Sequence, residues 1–307
     1  MLSRIAESLF WIGRYVERAD GTARIVDVLR LQLLEDPGTD EARASRQVLS
    51  VIMGLPSNDE VTFAEVGRQL VFGDENQSSI NGSWLAAREN ARRARETLST
   101  ELWEAINTTW HRWNGLGRQT VTERHLSWVR ERAALVAGVA DSTMSHDDAW
   151  DFLVLGRSLE RADMTARLVA TGGLRHGGPP WSAVLSSCGA TQSFMRSQRG
   201  LYTDELAATF LVLDREFPRS VVFALSEAES RLSALSPESQ RIGVSDEARR
   251  QLGGIRTTLE YRATPDIIAD LPAQMQRVQR AVMASAAAIR SRYFLSGPTP
   301  SWTEELV

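Results

Sequence analysis

Residues 13 to 24 read Gly13-Arg14-Tyr15-Val16-Glu17-Arg18-Ala19-Asp20-Gly21-Thr22-Ala23-Arg24. Residues 156 to 167 read Gly-Arg-Ser-Leu-Glu-Arg-Ala-Asp-Met-Thr-Ala-Arg, so the pattern G-R-x-x-E-R-A-D-x-T-A-R occurs twice, 143 positions apart. We call these stretches the first motif and the second motif. Self-similarity at about half the chain length indicates an internal duplication.

Each motif lies inside a long predicted helix. From Leu2 to about Leu34, apolar residues recur at intervals of three and four, which is the spacing of an amphipathic helix. The helix should end at 35–38, which reads Glu-Asp-Pro-Gly. The second motif falls in a helix predicted over about 147–171.

The rest of the chain also shows helical spacing, with short connections and no convincing strand. The further helices predicted cover 41–53, 61–72, about 80–97, 99–113, 122–141, 181–195, 203–213, 217–235, 247–262 and 270–293, with loops at 54–59 and 172–180. We therefore expect an all-α, internally duplicated helical bundle with about six helices per repeat. The repeats should cover 1–144 and 145–295, as two units or as one domain, followed by a tail at 296–307.

Bulk composition narrows the class of protein. The chain has 307 residues and a formal net charge of -4, so it lacks the basic field typical of nucleic-acid binding. No apolar run is long enough for a membrane span, and the N-terminus does not read as a secretory signal. A single cysteine, Cys188, fits a reducing compartment. These features predict a cytoplasmic protein with neither nucleic acid nor membrane as partner.

A helical wheel divides the first motif into three sides. The core-facing stripe contains Ile12, Val16, Ala19, Ala23 and Val26. One flank contains Gly13, Glu17, Asp20 and Arg24, and the other contains Arg14 and Arg18, which should point away from the acidic flank. The matching residues of the second motif are Gly156, Glu160, Asp163 and Arg167, with Arg157 and Arg161 opposite.

Three interpretations of these residues stay open. The first is ion pairing, both within each helix at i, i+4 and between the two related helices. The second is a metal site built from Glu17, Asp20, Glu160 and Asp163, as in dinuclear helical bundles, although neither motif contains a histidine. The third is a recognition surface, in which the arginines grip carboxylates or phosphates of a partner and the glycines admit a close backbone. The sequence does not say whether the two motifs face each other, and it predicts no cofactor.

A second group of candidate residues lies around the predicted fourth helix. Arg88, Glu89 and Asn90 are candidates for interaction, whereas Ser79 and its counterpart Ser220 are predicted to cap the starts of their helices. The sequence contains no Walker-type loop, nucleophile elbow or zinc-protease motif. Cys188 has no partner implied by spacing and is interpreted as buried filler.

The stretch from Leu2 to Ala19 resembles the bacterial alpha-E domain family. Further matching segments are 87–92, 150–153 and 217–220, and the resemblance covers about residues 1–295. It implies an all-helical protein of uncertain biochemical function. Members of that family are typically encoded beside, or fused to, a circularly permuted ATP-grasp ligase, often with a transglutaminase-like cysteine peptidase nearby.

The resemblance implies a role in an ATP-dependent amide-forming system that makes or modifies peptides. The leading hypothesis is therefore an accessory protein of an ATP-grasp ligase that organises the complex or presents substrate through the two motifs. The alternative is an enzyme with a carboxylate acid/base or metal site between the repeats. A third class, a purely structural dimer scaffold, is also consistent with the sequence, which does not set the oligomeric state.

Overall fold

The computed structural model describes residues 1–53, 60–74, 76–117, 120–172, 180–236 and 246–294, and this part of the chain consists of helices and their connections, without a strand. Its α-helices are α1 Ser3–Glu35, α2 Glu41–Met53, α3 Phe63–Val66, α4 Ile80–Arg93, α5 Thr100–Asn114, α6 Glu123–Thr143, α7 Asp148–Thr171, α8 Trp181–Ser187, α9 Thr191–Ser197, α10 Asp204–Leu213, α11 Val221–Leu235, α12 Glu247–Tyr261, α13 Thr264–Ala269 and α14 Leu271–Ile289. Short π-helical turns, Gly67–Val71 and Arg290–Phe294, extend α3 and α14. The predicted all-α class is confirmed.

The two motif helices, α1 and α7, form the centre of the bundle and pack extensively against each other. Helices α4 and α6 pack on α1, while α11 and α14 pack on α7. Apolar side chains from all these helices belong to one continuous core. The division into repeats at 144/145 stays a prediction.

Helix α1 is buried on nearly every side rather than along one stripe. It has 33 residues, so it runs for about 50 Å. Apolar residues such as Leu9 and Ile12 are fully buried, and the charged residues Arg14, Glu17 and Asp20 are also buried, with less than a tenth of each exposed. The amphipathic interpretation was wrong for this helix, because a central helix has neighbours all round and its polar residues must be paired inside the protein.

Several predicted boundaries differ from the structure. The helix predicted over 181–195 is two helices, because the chain turns between Cys188 and Ala190 with Gly189 at a φ of +62°. Helix α13 was not predicted as a separate element, and the second half therefore contains eight α-helices in its described part. The predicted loop at 54–59, most of the loop at 172–180 and the tail at 296–307 lie outside the described residues.

The tryptophans of α5 contribute to the core. Trp113 is buried, stacks on Trp128, and donates a hydrogen bond from Nε1 to Asn81 Oδ1 at 3.0 Å. Trp103 and Trp110 are partly buried and pack against the same core. The described helices include none with both the length and the apolar character needed to cross a membrane.

Candidate functional site

Helices α1 and α7 cross in direct backbone contact at the first glycine of each motif. A Cβ atom on Gly13 would lie 2.0 Å from the carbonyl oxygen of Leu153, and a Cβ on Gly156 would lie 2.0 Å from that of Phe10. Only glycine permits this approach, because both obstacles are main-chain atoms. The two motifs therefore face each other.

Beside this crossing, Glu160 of α7 accepts hydrogen bonds from two arginines of α1. Arg14 Nε lies 2.6 Å from Oε2, Arg18 Nε lies 2.6 Å from Oε1, and Arg18 Nη2 lies 3.0 Å from Oε2. Only 4% of the Glu160 side chain is exposed. With Asp163 and Arg167, which pair at 2.9 Å, these residues form what we call the Glu160 cluster.

The reciprocal arrangement surrounds Glu17 of α1. Arg161 Nε lies 2.9 Å from Glu17 Oε2, and Arg219, which precedes α11, places Nη1 2.6 Å from Oε1. Arg219 also binds Asp20, which pairs with Arg24 at 2.9 Å. We call these five residues the Glu17 cluster.

The two clusters differ at the second residue of each motif. Arg14 binds Glu160 directly, but its counterpart Arg157 is not hydrogen-bonded to Glu17, where Arg219 takes one of the two carboxylate oxygens. Arg157 instead approaches Asp141, with Nη1 3.8 Å from Oδ1, and its buried Nε has no hydrogen-bond partner.

The clusters explain the later residues of the motif as well. Each motif aspartate forms an ion pair with the arginine four residues later in the same helix. In the second motif, Thr165 Oγ1 donates a hydrogen bond to the backbone carbonyl of Arg219 at 2.9 Å, which fixes the arginine beside Glu17. Arg24 extends to the turn between α8 and α9, since a Cβ on Gly189 would lie 2.7 Å from its Nη1.

Burial and the arginines act against each other on the acidic groups. Burial alone would raise the pKa of Glu160, but Arg18 and Arg14 lower it to about 2. Burial also opposes ionisation of Glu17, and the charges of Arg161 and Arg219 overcome it, so the pKa of Glu17 is lowered. At Asp163 burial prevails over Arg167 and the pKa is raised, with a further contribution from the charge of Glu160.

Among the three interpretations of the motifs, the geometry matches ion pairing within and between the two helices. Arg14 and Arg18 lie on a different flank of α1 from Glu17 and Asp20, as the wheel predicts. Their acceptor, Glu160, comes from α7, which a wheel of α1 alone does not include. The four candidate metal ligands are instead bound by arginines. In the part of the chain that the structure describes, no group of three or more His, Cys, Asp or Glu is arranged to hold a metal ion.

The second group of candidates lies apart from the motifs on α4. Arg88 binds Asn107 and Glu89, and Asn90 donates to the carbonyl of Ala86. The capping prediction is confirmed: Ser79 accepts from the N–H of Gly82 at 2.8 Å, and Ser220 accepts from that of Phe223 at 3.1 Å.

The single cysteine is buried in the core. Cys188 is 3% exposed, and burial raises the pKa of its thiol to about 11. This agrees with the interpretation of a packing residue, since a nucleophilic cysteine needs a lowered pKa and access to solvent.

Sequence reasoning missed two contributors to the site. Arg219 was treated only as part of a helix start, although the position corresponding to it in the first half is Ser78, a difference that marks the two halves as unlike. Arg130 of α6, which lies 3.3 Å from Asp27, was also missed. No local pattern marks Arg130 as a partner of α1.

The depressed pKa of Glu160 predicts a specific loss of stability in acid. A carboxyl with a lower pKa in the folded state adds stability that is complete above its unfolded value and is lost as the pH falls towards the folded value. For Glu160 that window lies between the ordinary 4.5 and about 2. Glu160 therefore contributes about 3 kcal/mol to the free energy of unfolding, since a shift of one pKa unit corresponds to about 1.4 kcal/mol.

Urea unfolding measured from neutral pH to about pH 2.5 tests this contribution of Glu160 to stability. The Glu160→Gln variant should be least stable relative to the parent at neutral pH and should approach it in acid. Asp163 acts in the opposite sense, because a raised pKa favours the folded state on protonation. A difference between parent and variant that stays constant with pH would contradict the assignment.

Comparison with known proteins identifies a family to which this chain is similar. A family model named Alpha-E, described as a predicted alpha-helical domain with a conserved ER motif, matches residues 1–294. This chain has Glu-Arg at 17–18 and 160–161, inside the two motifs.

Uncharacterised proteins from Mycobacterium bovis and Mycobacterium tuberculosis are 24% identical to this chain over 310 residues, covering 91% of the chain and 34% of each relative. The chain thus spans about a third of the length of the curated relatives it matches. No solved structure shows significant similarity to it. On the extent of the family match, the chain belongs to the Alpha-E family of helical domains.

Proposed function

We propose that this chain is a non-catalytic helical partner of a circularly permuted ATP-grasp amide ligase, which it organises or supplies with a peptide substrate. The observation that carries the proposal is the length of the mycobacterial relatives, in which the matched region is only 34% of the polypeptide. A domain that recurs joined to other segments typically acts together with them. The family resemblance supplies the identity of the partner, and a transglutaminase-like peptidase is the second partner proposed.

The Glu17 cluster and the Glu160 cluster support a structural role for the Glu-Arg residues rather than an acid/base role. A general base or acid works best with a pKa near the operating pH. The pKa values of Glu17 and Glu160 are lowered, and each carboxylate is held by two arginines in a buried position. Both groups would stay ionised and paired at neutral pH, which disfavours the enzyme hypothesis.

We further propose that the fold is an internal duplication whose two repeats form one domain. Reciprocal contacts support this, because Gly13 meets the residue three positions before Gly156 and Gly156 meets the residue three positions before Gly13. The continuous core supports a single domain. Since the motif side chains are buried in the contact between the repeats, a protein partner must bind elsewhere on the surface.

The surface proposed for the ligase lies where the start of α1 meets the end of α4. Four exposed arginines gather there, namely Arg4, Arg92, Arg93 and Arg95. It adjoins Arg88, Glu89 and Asn90, the candidates from the sequence. Exposed arginines suit recognition of carboxylates on a partner. The same system would place the protein in the cytoplasm.

Co-purification with the cognate ligase tests the proposal. We expect one complex on size-exclusion chromatography and a change of several-fold in ATP turnover when the chain is added to the ligase. Charge reversal of Arg92 together with Arg93 should weaken the complex at least tenfold, or by about 1.4 kcal/mol.

A matched control is Arg250→Glu. Arg250 is 58% exposed and pairs with Glu247 at i, i+3, whereas Arg92 is 60% exposed and pairs with Glu89 at i, i+3. The control should leave the complex intact. A ligase that neither binds this chain nor changes in activity on its addition would refute the function.

A further inference from the structure

A cavity of about 150 Å³ lies between α1, α6 and α7, beside the Glu17 cluster. The apolar part of its lining, which we call the apolar wall, is formed by Ile12, Val16, Ala133, Val136, Ala137 and Leu153. At the edge of the cavity on α6, Ala134 is exposed and Arg130 is half-buried. The cavity is therefore accessible from solvent beside α6.

The polar part of the lining carries more positive than negative charge. Five arginines, at positions 24, 130, 157, 161 and 219, line it with only two carboxylates, Glu17 and Asp20. Further carboxylates act on these arginines from outside the lining. Asp27 lies 3.3 Å from Arg130, Asp141 lies 3.8 Å from Arg157, and the charge of Glu227 acts to raise the pKa of Arg157. Asp27 is shared with Arg30 at 3.0 Å, and half of the Asp141 side chain is exposed.

Arg157 is the arginine of this group whose nearest carboxylate, Asp141, lies beyond hydrogen-bonding distance. Its side chain is 17% exposed, and its Nε, like that of Arg161, has no hydrogen-bond partner. Burial and the neighbouring charge of Arg161 lower the pKa of its guanidinium. The equivalent Arg14 has the carboxylate of Glu160 at 2.6 Å. A guanidinium lining a cavity without such a partner is arranged to receive an anion.

The apolar wall and the volume restrict the kind of anion. An apolar cavity of about this volume holds a molecule of roughly six carbon atoms. Free phosphate has oxygens on every side, and those that faced the alanines of α6 would lose their hydrogen bonds. A short aliphatic carboxylate matches both parts of the lining, because its charged end can meet Arg157 while its chain contacts the apolar residues.

We propose that this cavity binds the carboxylate end of a small aliphatic group, either a free acid or a peptide side chain or terminus, with Arg157 as the principal contact. This proposal does not depend on the ligase proposed above. If the ligase does not bind the protein, the cavity proposal still stands. If the cavity binds no ligand, the proposed ligase complex still stands.

Calorimetric titration of the full chain with butyrate, at constant ionic strength, tests the site. Butyramide is the matched neutral probe, since it has the same shape without the charge. We expect saturable binding of butyrate and at least tenfold weaker binding of butyramide. Arg157→Gln should weaken butyrate binding at least tenfold, and Ala137→Leu, which fills the cavity without changing any charge, should abolish it.

Arg250→Gln removes one exposed arginine that does not line the cavity and should leave the affinity unchanged. Circular dichroism verifies that each variant is folded, and if Arg157→Gln is not, the Ala137→Leu variant and the butyramide comparison decide. The proposal is overturned if butyrate does not bind, if both cavity variants bind it like the parent, or if butyramide binds equally. Inorganic phosphate binding in place of butyrate would overturn the carboxylate assignment. A short peptide with a free C-terminus, compared with its amide, distinguishes a peptide ligand from a free acid.

Discussion

Replacing Gly13 with alanine is expected to destabilise the protein by about 3 kcal/mol or more, or to prevent folding. The new Cβ would lie 2.0 Å from the carbonyl oxygen of Leu153 and 2.8 Å from the amide nitrogen of Arg157. Both atoms belong to the main chain of α7, so no rotamer change can relieve the clash. The two helices would have to separate, and the ion pairs on both sides of the crossing would lengthen with them.

Gly138→Ala is the matched control for this prediction. Gly138 is exposed within α6, and a Cβ there would meet nothing within 4 Å. Alanine in an exposed helix interior is favoured over glycine by up to about 1 kcal/mol, so this variant should be as stable as the parent or more so. Chemical denaturation of both variants, with Gly156→Ala as the reciprocal case, makes the comparison. Equal stabilities of Gly13→Ala and Gly138→Ala would show that the helices do not cross at this point.

Periodicity in the sequence predicted the existence and type of most helices, because spacings of three and four persist wherever a helix has a single buried face. It was wrong about the surroundings of α1. The amphipathic pattern predicted a single buried side, whereas the fold surrounds α1 with five or more helices and pairs the charges of Arg14 and Arg18 internally. Periodicity of a single helix contains no information on how many neighbours it has.

The same limit applies to the site. The pairs Asp20 to Arg24 and Asp163 to Arg167 follow from i, i+4 spacing alone and were predictable. The contact of Arg219 with Asp20 joins residues 199 positions apart and depends on where α11 begins. Arg219 lies 2.6 Å from Glu17, and Arg157 lines the cavity. Both positions depend on tertiary structure, which the sequence of neither motif contains.

Glu160→Gln is expected to cost about 3–5 kcal/mol of unfolding free energy at neutral pH. The substitution preserves the shape of the side chain and removes its charge, so the guanidinium groups of Arg14 and Arg18 stay buried without a counter-ion. Those side chains are only 11% and 18% exposed and cannot easily reach water. The cost is chiefly the penalty for two unpaired charges rather than the net value of the original contacts.

The matched comparison is Glu89→Gln on α4. Glu89 also contacts two arginines, Arg88 at 2.8 Å and Arg92 at 3.0 Å, but its side chain is 34% exposed. An exposed ion pair contributes under about 1 kcal/mol, so this variant should differ little from the parent in urea unfolding.

Combining Glu160→Gln with Arg18→Gln separates the cost of an unpaired buried charge from the favourable energy of the ion pair itself. If the loss in the single variant is mainly an unpaired buried charge, removing Arg18 as well should cost less than the sum of the two single changes, with a coupling of at least about 1 kcal/mol. Additive losses would mean that the two side chains do not share one buried site, and the reciprocal Glu-Arg pairing of α1 and α7 would then be wrong. Because the pairing spans both motifs, its failure would remove the physical reason for the repeated Glu-Arg sequence.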